Sequence, residues 1–103
     1  KNLKKEISSN NLTTIQKAIT HLQLIHIKYL SIQKQESSER KVEPLGIYLS
    51  QDNWVLIAWC RLRKAYREFR LDSIKELKVL DEQFEKRDFE LIPYFLKEKY
   101  GDQ

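Results

Sequence analysis

Arg61, Arg63, Lys64, Arg67 and Arg70 fall within ten residues, interleaved with Tyr66, and the one acid among them is Glu68. Guanidinium forks grip phosphate oxygens through paired hydrogen bonds, and an aromatic face beside them can stack a base. These residue types point to an anionic ligand that carries a phosphate and a flat ring. The same run would also suit a solvated loop whose cations serve solubility, so the spacing has to be weighed. In a regular strand Arg67 and Arg70, three positions apart, face opposite sides, and they could meet one ligand only at a strand end or a bulge. Arg67 shares its side with Phe69 and Leu71, which would set its head group at the mouth of a core. Arg70 shares its side with Glu68 and Asp72 and suits a structural ion pair. Arg67 is therefore the better candidate for touching a ligand.

Other chemistry is sparse. His21 and His26 stand five apart with no Cys, Asp or Glu clustered beside them, which is no metal-ligand pattern. Cys60 sits in an apolar run and reads as an inert buried thiol, although Arg61 next to it could lower its pKa. No Ser-His-Asp spacing occurs, and two glycines in the whole chain leave no phosphate-cradling loop. The expectation is a binding protein rather than an enzyme, without a cofactor or metal.

The elements that position the basic run must come from a single small domain. The chain has 103 residues, and at that size folding hides only about 60 to 70 % of the unfolded surface, enough for one core. A hydrophobic content of 41 % with few Gly and Pro favours a folded module over a disordered tail. One cysteine excludes an internal disulfide and suits a reducing cytoplasm. No apolar run is long enough for a membrane span or a signal peptide. The absence of methionine leads to the expectation of a fragment whose residues 1–11 link it to a preceding segment. Net charge is +4, and the run from Arg61 to Arg70 alone holds an equal excess, whereas residues 71–103 carry nine acids against six bases. Anionic partners should therefore be sought at the basic run.

Hydrophobic periodicity gives the order of elements. Ser8-Ser9-Asn10-Asn11 reads as a helix cap, and Leu12, Ile15, Ala18, Ile19 and Leu22 follow at helical spacing. A first strand runs from Gln23 with Ile25, Ile27 and Tyr29 on one face, and the polar residues 33–39 form a hairpin loop. A second strand over residues 40–49 contains Pro44 and Gly46, which require a corner or an edge. After a turn at residues 50–53, the continuous apolar run 54–60 is a strand covered on both sides, with Trp54 as a core or rim anchor and Trp59 on the other face beneath a helix. Strands at 66–72 and 74–80, a charged connection around Phe84, and a helix at 91–99 with Pro93 in its first turn and Gly101 beyond its end complete the chain. Five closely spaced antiparallel strands favour a small, strongly bent barrel over a flat sheet with two exposed edges.

Arg40-Lys41-Val42-Glu43-Pro44-Leu45-Gly46-Ile47-Tyr48-Leu49, then Trp54-Val55-Leu56, then Arg67-Glu68-Phe69-Arg70-Leu71-Asp72-Ser73-Ile74, resembles the WYL domain family in order and spacing, across residues 12–84. The resemblance implies a mainly β domain with flanking helices: a five-stranded antiparallel Sm-like barrel preceded by one α-helix and followed by a short C-terminal helical extension, residues 85–103. It further implies the sensor of a bacterial transcriptional regulator. Such a sensor would bind nucleic acid or a nucleotide-like ligand and alter the grip of a helix-turn-helix domain on operator DNA, usually as a homodimer. Arg40, whose family counterpart is commonly basic, joins Arg61, Arg63, Tyr66, Arg67 and Arg70 as a ligand candidate. Tyr29 is a further candidate, with core packing and a hydroxyl at the rim as its alternative. Two positions depart from the family pattern. Val55 replaces the central tyrosine of the Trp-Tyr-Leu triplet, and Ser73 replaces an arginine. An assembly role, with Ile92, Phe95 and Leu96 joining protomers, is the other functional class the sequence allows.

Overall fold

A computed structural model describes residues 3–31 and 34–100, and the side chains of residues 11–31 and 34–97. Lys1 and Asn2 of the expected linker, Gln33 of the expected loop and Gly101 beyond the last helix lie outside the described residues. The order is α1 (Leu3–Thr20), β1 (Gln23–Ser31), β2 (Glu36–Ser50), β3 (Asn53–Cys60), β4 (Ala65–Arg70), a 3₁₀ turn (Leu71–Ser73), β5 (Ile74–Gln83) and α2 (Leu91–Tyr100).

All strand neighbours are antiparallel, and the sheet order is β4-β3-β2-β1-β5. β2 is the longest strand because it serves two partners in succession. Its first half, from Glu36 to Val42, pairs with β1, and its second half, from Val42 to Ser50, pairs with β3. The register slips between Pro44 and Gly46, just past the point where β1 lets go. Proline has no N–H to give a ladder, so the strand bends where no second ladder is required. The corner expected from these two residues is this bulge. The sequence reading of a barrel holds at a coarser level: five antiparallel strands form one open sheet with β4 and β5 at its ends.

The inner face of the sheet carries the core. Ile25 and Ile27 of β1, Val42 of β2, Leu56, Ala58 and Cys60 of β3 and Phe69 of β4 are all buried, joined by Leu71 and Ile74 around the 3₁₀ turn and by Ile15 and Ala18 of α1. Helix α1 thus uses the spacing seen in the sequence, with Leu12 and Ile19 packed at the margin. It begins much earlier than expected, however, so Ser8 to Asn11 lie inside the helix and do not cap it. It ends where Leu22 takes a left-handed φ of 54°, and the Leu22 N–H donates back to the Ile19 carbonyl at 3.3 Å. Val55 and Ile57, on the opposite face of β3, are buried as well, so the apolar run is covered on both sides as its composition required.

Three connections differ from or sharpen the sequence reading. The polar loop before β2 is shorter than expected, because Glu36 to Glu39 pair with Lys28 to Ser31. Gln51 and Asp52 both have positive φ, 50° and 64°, between the paired Ser50 and Asn53, which is the two-residue turn that matches strand twist. Leu71 and Asp72, expected as strand, form the 3₁₀ turn that separates β4 from β5. Leu56 has no exposed surface and sits at the centre of the inner face, whereas Leu62 on the β3–β4 turn is 68 % exposed. Truncating Leu56 to alanine is expected to cost about 2 to 5 kcal/mol in urea denaturation, and Leu62→Ala less than about 0.5 kcal/mol.

Candidate functional site

Alternation along β4 divides the basic run between two faces. Arg67 pairs with Ala58 on the side of the buried Phe69, and Tyr66, Glu68 and Arg70 project to the other side with their β3 partners Trp59, Ile57 and Val55. Arg67 is exposed and has no hydrogen-bond or ion-pair partner among the described residues. Arg63 and Lys64, on the turn between β3 and β4, are exposed and equally unpartnered among the described residues. Lys64 takes a left-handed φ of 54°, and its N–H donates to the Cys60 carbonyl at 2.7 Å, which fixes the tight turn.

Tyr29 and Arg40 belong to the inner side as well. Arg40 stands opposite Ile27, and the next pair on that face is Tyr29 with Ser38. Tyr29 meets Phe69 edge to face with centroids 5.0 Å apart. Arg40 uses one guanidinium nitrogen on the neighbouring Glu39 carbonyl at 3.1 Å. Arg70 is committed elsewhere. Its Nε and Nη2 donate to Asp72 at 3.1 and 2.6 Å, and Nη2 also donates to the Asn53 side chain at 3.1 Å. The Asp72 hydrogen bond pushes the Arg70 pKa up. This is the structural pair that shared strand phase implied, and it pins the start of the 3₁₀ turn.

Arg61 and Tyr66 fall into a different setting, on the outer face. Glu43 of β2 is 4 % exposed and takes the Arg61 Nε at 3.1 Å on Oε2 and the Arg87 Nε at 2.6 Å on Oε1. Arg87 Nη2 adds a longer bond to Oε2 at 3.4 Å. A carboxylate withdrawn from water without partners would cost several kcal/mol, so Glu43 holds both guanidiniums in place. Arg87 also lies over the Trp59 ring, 4.0 Å from its centroid. Trp59 meets Tyr66 edge to face at 5.1 Å, and Tyr66 continues to Phe89 at 5.7 Å and Tyr94 at 5.9 Å.

The C-terminal segment closes this face. A Cβ on Gly46 would stand 3.4 Å from Phe89 and 3.6 Å from Leu91, ordinary contact distances that place the segment directly over the β2 bulge. Glu68 then ties α2 to the sheet: one carboxylate oxygen accepts the Tyr48 hydroxyl, and the other accepts the Tyr94 hydroxyl at 2.8 Å. Tyr48 packs edge to face on Phe95, with centroids 4.7 Å apart. Partial burial and the hydrogen bond to Glu68 push the Tyr48 pKa up to about 12. Glu43, Trp59, Arg87, Phe89 and Tyr94 were not singled out as site residues by the sequence. Trp59 was placed on the correct face, but Arg87 meets Glu43 across 44 positions, which no local pattern reports. His26 faces Glu39 at 3.1 Å, and among the described residues no group of three His, Cys, Asp or Glu side chains could hold a metal ion.

A bent five-stranded sheet with one helix packed on its inner core and a basic turn at its end defines a small β-rich domain. The WYL domain pattern matches residues 10–79, and the chain belongs to the WYL domain family. It is 32 % identical over 77 residues to the uncharacterized HTH-type transcriptional regulator YobV of Bacillus subtilis (strain 168), covering 75 % of this chain and 24 % of that protein. It is 28 % identical over 86 residues to the DNA-binding transcriptional repressor CapW of Pseudomonas aeruginosa, covering 84 % of this chain and 29 % of that protein. Among solved structures, the proteasome accessory factor B/C (PafBC) of Arthrobacter aurescens superposes with a TM-score of 0.70 and 28 % identity, over 80 % of this chain and 14 % of that one. The chain thus spans roughly a quarter of the length of the curated relatives it matches. No helix among the described residues is long and apolar enough to cross a membrane.

Two outcomes follow from the outer face. Glu43→Ala leaves two guanidiniums side by side without their anion and should cost about 1 to 3 kcal/mol in urea denaturation, against less than about 0.5 kcal/mol for the exposed Glu39→Ala. Tyr48 ionises later in the folded chain, with a pKa of about 12 against 10.0 for an unperturbed tyrosine. The stabilisation linked to it is therefore complete below pH 10 and disappears as pH rises toward 12. Phenolate absorbance should show a tyrosine step displaced toward pH 12, and Tyr48→Phe should remove it.

Proposed function

We propose that this chain is the effector-sensing domain of a bacterial transcriptional regulator. A phosphate-bearing ligand, either single-stranded nucleic acid or a nucleotide, binds its basic face and changes the grip of a helix-turn-helix domain, elsewhere in the regulator, on operator DNA. The sensing unit is residues 12–84, with residues 85–103 as its extension, and the open sheet corresponds to an Sm-like barrel that would close between β4 and β5. The regulator acts in the cytoplasm, where its operator lies.

The observation that carries this reading is Arg67. It is an exposed guanidinium with no ion-pair partner among the described residues, on the side of β4 that holds Phe69, close in sequence to Arg63 and Lys64, which are also unpaired among the described residues. Tyr29 touches Phe69 and stands one pair along from Arg40 on the same side, which supplies a ring and a further cation. Its membership of the WYL family and its likeness to YobV and CapW support a regulatory setting. Arg67→Ala is expected to weaken binding of short single-stranded DNA or RNA, or of free nucleotide, by at least about tenfold in a fluorescence titration. For an oligonucleotide, the logarithm of affinity should fall with that of salt with a slope of about 0.7 per phosphate contact. Absence of binding to all three, or binding that Arg67→Ala leaves unchanged, would overturn the reading.

A second reading, an assembly module, is favoured by one observation. Ile92 and Leu96 sit one turn apart on α2 and are 71 and 54 % exposed, while Phe95 packs on Tyr48. In this reading the exposed pair joins two copies and sets their DNA-binding domains on paired half-sites. Light scattering of the full regulator with Ile92→Ser and Leu96→Ser distinguishes it, since an unchanged dimer would remove α2 from the interface.

A further inference from the structure

The outer face holds a built pair of guanidiniums that the Arg67 face does not use. Glu43 occupies the Nε side of Arg61 and one edge of Arg87, and the remaining N–H groups of both have no acceptor among the described residues. Both side chains remain open to solvent, 41 % exposed for Arg61 and 33 % for Arg87. They line an open groove of about 560 Å³ together with Tyr66, a residue 39 % exposed. The orientation of the two forks is fixed in advance: Glu43 is buried and holds both, and the Trp59 ring supports Arg87 at 4.0 Å. A ligand that meets donors already held in place loses less freedom on binding.

The rim decides which anion fits. Glu85 and Asp88 flank Lys86 along the edge of the groove, so its three acids formally balance its three bases. Such a groove attracts little by net charge and selects by geometry. A singly charged oxyanion can accept from both forks, whereas a terminal phosphate, which carries a charge between about −1.5 and −2 at neutral pH, is opposed by the rim acids. The exposed part of the Tyr66 ring gives a neighbouring base a surface to stack on.

We propose that the groove over Glu43 is a second ligand site, distinct from the Arg67 face, that takes a phosphodiester flanked by a base: Arg61 and Arg87 grip the phosphate and Tyr66 stacks the base. This rests on the reading that the effector is nucleotide-like, and it assigns the internal phosphate of an oligonucleotide to the outer face.

Trp59 supplies the readout, since the chain has two tryptophans and Trp54→Phe leaves Trp59 as the sole emitter beneath Arg87. In that background the chain is titrated with a dithymidine carrying one internal phosphodiester and no terminal phosphate, and separately with thymidine 5′-monophosphate. The dinucleotide should shift Trp59 emission saturably. Arg87→Lys, which keeps a charge for Glu43 but loses the fork, should weaken this by at least about tenfold. Tyr66→Leu, which leaves the ion cluster intact, should weaken it by about fivefold or more. The monophosphate should bind more weakly than the dinucleotide, and Arg67→Ala should leave the Trp59 response unchanged. No saturable response, tighter binding of the monophosphate, or a response insensitive to both Arg87→Lys and Tyr66→Leu would overturn the proposal. Dinucleotide binding that depends on Arg67 alone would remove this site and leave the proposed function standing. Absence of Arg67-dependent binding for every probe, with the Arg87-dependent Trp59 response retained, would do the reverse for the location given above.

Discussion

The rest of the structure depends on β2 changing partners at Val42. A strand of 15 residues that stayed on one neighbour would extend a flat sheet with a long open edge. Pro44 and Gly46 prevent this, because one cannot donate to a second ladder and the other leaves the strand without a side chain at the slip. The bend this produces lets β1 and β3 flank one strand in succession and gives the sheet the inner face that Ile25, Val42, Leu56 and Phe69 fill. The same bend orders the outer face. Glu43 stands opposite Trp59 just before the slip, and Gly46 after it accepts Phe89 and Leu91 against the backbone.

Because the bend leaves the sheet with two distinct faces, the strict alternation of β4 has a chemical consequence. A run that is predominantly basic in sequence becomes two chemically different surfaces. The inner side receives Arg67 without a counter-ion among the described residues. The outer side receives Tyr66 and Glu68 among carboxylates, aromatic rings and a helix. Free charge on one face acts over distance and draws in anions with a dependence on salt. Arginines tied to a buried carboxylate act only on contact, through the direction of their remaining donors. The two faces therefore differ in how they would recognise a ligand as well as in where they lie.

What was legible in the sequence and what was not separates along the range of the interaction that decided each element. β1, β3 and α2 were readable because burial alternates or recurs along neighbouring residues, and Ile27, Leu56 and Phe95 carry that signal locally. The pairing of Arg70 with Asp72 was readable because it lies within one strand end. Helix α1 was cut short because Ser and Asn at residues 8–11 favour caps by propensity, yet they sit within a helix of 18 residues. Glu36 to Glu39 were misread as loop since polarity marks exposure and does not by itself exclude pairing; their ladder with β1 supplies the hydrogen bonds. Leu71 and Asp72 kept the strand's alternation in sequence although the chain turns there. Arg87 and Glu43 were invisible as partners, since nothing short of the folded β2 bend brings residues 43 and 87 together.

β4 is where the two faces are mechanically joined. Arg67 and Glu68 are consecutive, so the cation of the inner side and the carboxylate that binds Tyr48 and Tyr94 share one peptide unit. Close-packed interiors transmit strain, so the backbone of β4 is common to the inner-side cation and to the Glu68 tie on α2. The tie is made of hydroxyl–carboxylate hydrogen bonds at a half-open edge, each worth on the order of 1 to 3 kcal/mol, which is small against the buried inner core and comparable with the energy a ligand can supply. Of the elements packed on the sheet, α1 is anchored through buried Ile15 and Ala18, whereas the described contacts of α2 include the aromatic edges of Tyr94 and Phe95 and the Glu68 carboxylate. The buried anchoring of α1 and the half-exposed ties of α2 make α2 the more lightly held of the two helices.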